Sequence, residues 1–268
     1  MSDLTCFKAY DIRGKIGVNI DEGIAYSIGR AVAQHFNAKS IVIGFDARET
    51  SPAFSAAASQ GARDAGAVVI DIGMAGTEEM YWAVTEFDAC AGIEVTASHN
   101  PMNYNGMKIV KSHSRPLDDA DDFQVIKALA GSQEWLSGAE VGIELDRSKG
   151  AREAYVNRVL GFVDVKSSRP LKIVVNSGNG AAGPTFDALA RKLIQKQPAF
   201  KFTRIIHNID SSFPNGVPNP LLEENRISTM EKVISVSADL GVAFDGCLLY
   251  TSDAADEGLG VDLGGRRI

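Results

Sequence analysis

A chain of 268 residues, 45% hydrophobic and 23% charged, has the balance of a globular protein and the length for one large domain or two ordinary ones. The formal net charge of −7 disfavours nonspecific nucleic-acid binding, since no basic stripe offsets it. No apolar run approaches a membrane helix, and the first eight residues lack a basic region followed by an apolar core, so neither a membrane span nor a signal peptide is expected. Cys6, Cys90 and Cys247 are few, odd in number and far apart. They form neither a disulfide framework nor a zinc pattern, and a reducing cytoplasm is the expected setting. An acidic chain can still bind an anion, given a local cluster of Arg, Lys, backbone N–H groups or a metal.

Taken in chain order, residues 21–36 predict an early amphipathic helix. Residues 41–45 form a short apolar run ending at Asp46, and a helix is expected over about 52–65. A strand over 67–72 follows, then a helix opened by Thr77 as N-cap with acidic residues in its first turn. Residues 90–95 read as a third strand and 107–110 as a fourth. This alternation predicts an α/β domain with a largely parallel sheet.

A second unit is expected from near Gly150, where helical spacing begins at Arg152 and runs to Phe162. A strand over 171–175 enters the glycine-rich turn 176–183 and a helix to about Gln195. Residues 202–206 read as a strand, 213–220 as rigid loop, 222–236 as helix and 240–244 as a last strand ending at Asp245. The fold class is therefore two consecutive α/β domains with mixed, largely parallel sheets, residues 1–148 and 149–246. From Cys247 to Glu257 the string resembles the translation of a sequencing-library adapter, and 247–268 is set aside as a non-native tail, with a natural disordered terminus as the alternative.

The segment from Gly92 to Pro101 concentrates the chemistry. A strand runs into a turn holding Ser98, His99 and Asn100. Pro101 cannot extend a ladder and biases Asn100 away from helix. Ser98 is thereby placed at the carboxyl end of a strand, where α/β folds place ligands. On spacing alone the stretch is an ordinary Ser-His-Asn-Pro turn.

Residues 96–101, Thr-Ala-Ser-His-Asn-Pro, are similar to the active-serine signature of the α-D-phosphohexomutase family. Segment 7–14 resembles the family's N-terminal substrate-phosphate segment, and 76–80, 103–108, 176–183 and 213–220 resemble its bacterial phosphomannomutases, so the likeness runs nearly unbroken from residue 1 to 246. It implies that Ser98 carries a phosphate, that the phosphate binds Mg²⁺, and that mannose 6-phosphate and mannose 1-phosphate interconvert through a bound bisphosphate. Glucose phosphates are a second implied substrate.

Phosphoryl transfer needs positioning and neutralised oxygens. By resemblance, Tyr10 and Arg13 lie near the reacting phosphate, and Lys108 serves acid/base work or phosphate stabilisation. Asn100 is expected among the phosphate-binding residues. His99 either contacts the phosphate or structures the loop. Arg48, after the strand end at Asp46, either steadies the site or forms a salt bridge. Magnesium prefers hard oxygens in octahedral geometry, which the family supplies from an Asp-Gly-Asp-x-Asp-Arg loop. Here Asp245-Gly246 is followed by Cys247, so two carboxylates and the arginine are missing. The expected metal set is Ser98, through its phosphate, and Asp245, which also reads as a strand-end turn residue. Turn 176–183 lacks a P-loop ending and a clean dinucleotide fingerprint, and reads first as a structural strand-to-helix turn.

Two other functions compete. A serine hydrolase using Ser98 and His99 is disfavoured because neighbouring side chains usually point different ways and no nucleophile-elbow pattern surrounds Ser98. A noncatalytic sugar-phosphate-binding fragment follows from the family's four domains, two of which are absent. The expectation is that this chain folds its first domain and turns over little or nothing.

Overall fold

The computed structural model describes residues 4–165 and 169–247, together with the backbone of a strand at 251–253. The chain divides into two compact units, residues 1–151 and 152–268. Among the described residues no helix is long and apolar enough to cross a membrane.

The first unit contains β1 (Ile12–Lys15), α1 (Glu22–His35), β2 (Ser40–Phe45), α2 (Ser51–Asp64), β3 (Val68–Met74), α3 (Thr77–Glu86), β4 (Ala91–Val95), β5 (Tyr104–Lys111), β6 (Arg115–Pro116), α4 (Gln124–Ser132) and β7 (Glu144–Asp146). Its sheet runs β1-β5-β4-β2-β3-β7, with β6 paired to β5. β4, β2, β3 and β7 are parallel, whereas β5 is antiparallel to β4, β1 and β6. The return of β5 follows from chain length. Only residues 96–103 join β4 to β5, too few for the crossover a parallel partner needs. That short link is the Ser98 loop.

Alternation along the strands sorts side chains to two faces. Ile12, Ile41, Ile43, Ile93, Val95 and Met107 pack with α1, α2 and α4, and each fully buried aliphatic chain contributes about 2 kcal/mol. Val42, Ile70, Ile72 and Val110 meet Met80 and Val84 of α3 on the other face. Asp21 caps α1, its carboxylate accepting the Ile24 N–H at 2.8 Å. α1 and α2 approach backbone to backbone: a Cβ on Gly29 would lie 2.1 Å from the Ala58 carbonyl, and one on Gly61 2.0 Å from that of Tyr26.

α5 (Ser148–Leu160) leads into the second unit, where Val156 and Leu160 pack on Ala188. Then follow β8 (Lys172–Asn176), α6 (Ala182–Lys196), β9 (Lys201–Ile205), α7 (Glu223–Val236), β10 (Leu240–Phe244) and β11 (Thr251–Asp253). The sheet order is β11-β10-β8-β9, with β8 parallel to β9 and β10. Both units are thus α/β with mixed sheets, as the alternating pattern leads one to expect.

Four details differ from the sequence reading. Thr77 does not cap α3: it is the first helical residue, and Gly76 holds the extended cap conformation (φ −98°, ψ 163°). The polar stretch before Arg152 is already helical from Ser148. β5 is longer than 107–110 because it is bonded on both sides by β1 and β4. Thr251–Asp253, inside the stretch set aside as a tail, pairs antiparallel with β10, and the rest of that stretch after Cys247 lies outside the described residues.

Candidate active site

Ser98 sits at φ +51°, in the left-handed region that few non-glycine residues enter, and here the surroundings hold it. The enforcement starts at Asp46, just past β2. One carboxylate oxygen accepts the Arg48 N–H at 3.0 Å and the Ser51 hydroxyl at 2.6 Å. The other accepts the Thr96 hydroxyl at 2.7 Å, and Thr96 Oγ1 in turn accepts the Ser98 N–H at 2.8 Å. Asp46, Thr96 and Ser98 are all buried.

Arg48 holds the rest of the loop. Its guanidinium donates to four carbonyls: Ser98 at 2.8 Å, Asn100 at 2.5 Å, Pro101 at 2.9 Å and Tyr104 at 3.2 Å. The fixed fork of donors suits this task, which a lysine cannot reproduce. Arg48 Nε also lies 3.6 Å from Asp46, so the salt bridge and the steadying role read from sequence coexist. Burial pulls the Arg48 guanidinium below its ordinary value, the Asp46 charge opposes this, and the nearby Arg13 charge adds to it.

His99 is exposed, and its Nδ1 lies 3.2 Å from Ser98 Oγ. The expectation that these adjacent side chains diverge is therefore wrong, because the left-handed Ser98 backbone turns the hydroxyl onto the ring. Asn100 faces inward: its side-chain amide donates to the Ala97 carbonyl at 3.0 Å, which makes it a loop brace in this structure.

Arg13 and Lys108 come from β1 and β5. The register sets Arg13 opposite Gly106 and Lys108 opposite Glu94, and the Thr96 N–H donates to the Gly106 carbonyl at 3.0 Å. Both cations therefore reach the sheet face shared with α3, beside the strand that feeds the Ser98 loop. Gly106 is required by this packing, since a Cβ there would lie 1.9 Å from the Ile12 carbonyl. Arg13 donates to that same carbonyl at 2.7 Å and is mostly buried. Tyr10 is 83% exposed at the rim of a cleft of about 200 Å³ that Asp11, Tyr81 and Lys108 also line.

Sequence reasoning missed three residues here. Asp11 lies between Tyr10 and Arg13 in the same motif and sits 3.3 Å from Arg13 and 3.9 Å from Lys108. Asn105 is fully buried and donates to Thr50 and Ser51 at 2.8 and 3.1 Å, pinning β5 to the start of α2. Glu94 is fully buried with no hydrogen-bond partner on either carboxyl oxygen. Burial pushes its carboxyl well above the usual range, and the Asp46 and Glu79 charges push the same way.

In the second unit, Asp245 is buried just past β10 and accepts the Cys247 thiol at 3.2 Å. Turn 176–183 is built as a closed lock. Ser177 Oγ lies 3.0 Å from His207 Nδ1, His207 Nε2 lies 3.0 Å from Asp187, and Arg204 donates to Asp187 at 2.8 Å. Ser177 itself is fully buried.

Comparison with known proteins adds a second line of evidence. Residues 5–134 match the family profile described as phosphoglucomutase/phosphomannomutase, alpha/beta/alpha domain I, and residues 153–246 match that of domain II. A phosphomannomutase of Salmonella montevideo is 45% identical over 93% of this chain and 56% of its own length. One from Escherichia coli K12 is 44% identical over the same shares. A solved phosphoglucomutase/phosphomannomutase family protein from Burkholderia thailandensis superposes with a TM-score of 0.81 at 32% identity, covering 100% of this chain and 57% of that one. The chain spans little more than half the length of the relatives it matches.

Proposed function

Because the chain belongs to the phosphoglucomutase/phosphomannomutase family, we propose that it is the serine-bearing part of a phosphomannomutase, with residues 1–148 and 149–246 as domains I and II. The substrates are hexose phosphates, mannose 6-phosphate and mannose 1-phosphate first and glucose phosphates second. The observation that carries this reading is the Ser98 loop: a serine in an enforced left-handed conformation, with the cations Arg13 and Lys108 delivered beside its strand.

In the proposed reaction Ser98 Oγ stores a phosphoryl group. A sugar hydroxyl oxygen bonds to the phosphorus as the bond to Ser98 Oγ breaks, the hydroxyl gives up its proton, and Ser98 Oγ ends protonated. The bisphosphate turns over, and the transfer runs backward from the other phosphate. Arg13 steadies the equatorial oxygens with its fork of donors. Lys108 neutralises charge or moves the proton. His99, at 3.2 Å from Ser98 Oγ, is placed to exchange a proton with the serine. Arg48 and Asn100 hold the loop backbone so that little reorganisation accompanies transfer.

Magnesium, the cation implied by the resemblance, is not matched by the described residues as a set. Asp245 is one carboxylate, and among the described residues no group of three or more His, Cys, Asp or Glu side chains could hold a metal. An octahedral ion wants more hard oxygens than this. The cytoplasm suits the three cysteines, none of which is in a disulfide, and burial pushes the Cys6 thiol up to about 11, which leaves it inert.

The test is phosphoryl capture. The purified chain is incubated with glucose 1,6-bisphosphate, and intact-mass and peptide mass spectrometry read the product. One added phosphoryl group on Ser98 is expected. Labelling elsewhere, or labelling that persists in Ser98→Ala, refutes the assignment. The same chain without its remaining length is expected to convert mannose 6-phosphate little or not at all.

A further inference from the structure

Resting on the reading that Arg13 and Lys108 face the phosphate, we infer that Asp11 is the chain's own occupant of that anion seat, a built-in anion that competes with phosphate for the two cations and yields to it. A single oxygen, Asp11 Oδ2, lies 3.3 Å from Arg13 and 3.9 Å from Lys108. One acceptor facing a guanidinium and an ammonium is what a phosphate oxygen would present. The two cations come from different strands, β1 and β5, and share this one acceptor.

The three side chains are mostly covered, at 9% exposed for Arg13 and 16% each for Asp11 and Lys108, so water screens these charges less than on an open surface. The two contacts differ in kind. Arg13 is fixed, with its other terminal nitrogen committed to the Ile12 carbonyl at 2.7 Å. The Lys108 contact at 3.9 Å is a charge contact beyond hydrogen-bond length, so the ammonium is held without being committed. Asp11 belongs to a short turn tied by backbone, with the Lys8 N–H on the Asp11 carbonyl at 2.8 Å and a bridge from Phe7 to Ile12. Its side chain can therefore swing aside while the strand stays. The adjoining cleft, about 200 Å³ and lined by Asp11 and Lys108, is smaller than the roughly 300–1,000 Å³ of a whole ligand pocket.

The consequence is competition. Asp11 weakens the hold on a free phosphate and so keeps the seat from trapping anions between turnovers. In Asp11→Asn the seat loses its built-in anion, and affinity for inorganic phosphate, measured calorimetrically on the 268-residue chain, is expected to rise about tenfold. Adding Lys108→Met to that variant is expected to cancel the gain. A merely structural aspartate gives the opposite sign, because its loss would let the cations scatter and weaken binding.

Unchanged or weaker phosphate binding in a folded Asp11→Asn chain overturns the inference, as does undetectable binding in both proteins. Asp11→Ser, smaller and equally uncharged, takes its place in the same measurement if the asparagine variant fails to fold. A gain that survives Lys108→Met also overturns the inference, since the phosphate then binds elsewhere. The underlying mutase reading fails separately, by absence of phosphate on Ser98 in the mass-spectrometric experiment.

Discussion

Two loops of this chain leave the carboxyl ends of parallel strands, and both set a serine against a histidine, at 3.2 Å for Ser98 and 3.0 Å for Ser177. The distances alone would rank Ser177 first, since His207 continues to Asp187 in the order of a catalytic relay. The surroundings reverse that ranking. Ser177 is fully buried, and the Asp187 carboxylate at the far end is neutralised by Arg204. The Ser98 loop is instead held from behind, by Arg48 on its carbonyls and Asp46 through Thr96, and its histidine faces solvent. A serine–histidine contact is thus no evidence of nucleophilic chemistry by itself. What distinguishes a site is where the restraint is applied and whether cations stand where charge will move.

The largest expected effect separates the two serines directly. Ser98→Ala is expected to abolish phosphoryl uptake from a hexose bisphosphate, and Ser177→Ala to leave it within about twofold, since its loop contributes hydrogen bonds and no reacting atom. Mass spectrometry of the two chains decides this, and equal loss in both would erase the contrast.

The next effect tests restraint from behind. Arg48→Met removes four donors to carbonyls and leaves Asp46 beside an apolar chain, a loss of roughly 3 kcal/mol or more. Amide exchange over residues 96–104 should accelerate before the rest of the unit does. The counterpart in the other loop is weaker. Burial works to raise the Asp187 carboxyl, but hydrogen bonds from His207 and Arg204 overcome it and hold it below its usual range. The group is nearly half exposed, so Asp187→Asn is expected to cost under about 1 kcal/mol in urea unfolding. A larger loss there than in Arg48→Met would mean that the closed lock, and not the clamp, dominates loop stability.

Much of this was legible in the chain and some could not be. Strands such as Ser40–Phe45 and Leu240–Phe244 are apolar runs bounded by turns, and the sequence reading places them within a residue. β1 and β7 escape because Ile12–Lys15 and Glu144–Asp146 carry charges and pair at or near the sheet edge, where no apolar run is required. Ser98, Arg13 and Lys108 are readable as candidates only through the family resemblance of their segments, since on spacing alone the Ser98 stretch is an ordinary turn. The Arg48 clamp is not readable in full, since its acceptors are backbone carbonyls, which have no letter in the sequence. The Ser177–His207–Asp187 chain is invisible for another reason: its members come from a turn, the segment after β9 and helix α6, and only the fold brings them together.

The smallest contrast lies beneath the loops. Four residues before Ser177 stands Ile173, a half-buried apolar residue packed against the core, whereas four residues before Ser98 stands Glu94, fully buried and without a hydrogen-bond partner. Asp46 and Glu79 bear on it from the end of β2 and from α3, and Lys108 stands opposite on β5. The folded chain therefore keeps the Glu94 proton well above the pH at which an unfolded glutamate, near about 4.3, releases it. The unfolded state binds fewer protons across that window, so folding stability must fall as pH rises from about 4 toward the raised folded value. Glutamine has the same shape and no proton to lose, and Glu94→Gln should remove this slope. Urea unfolding at about pH 5, 7 and 9 is expected to show the variant matching the parent at the acid end and exceeding it progressively toward the alkaline end. Parallel stability curves for the two proteins would mean that Glu94 is ionised in the folded chain, and that the sheet beneath Ser98 is as ordinary as the one beneath Ser177.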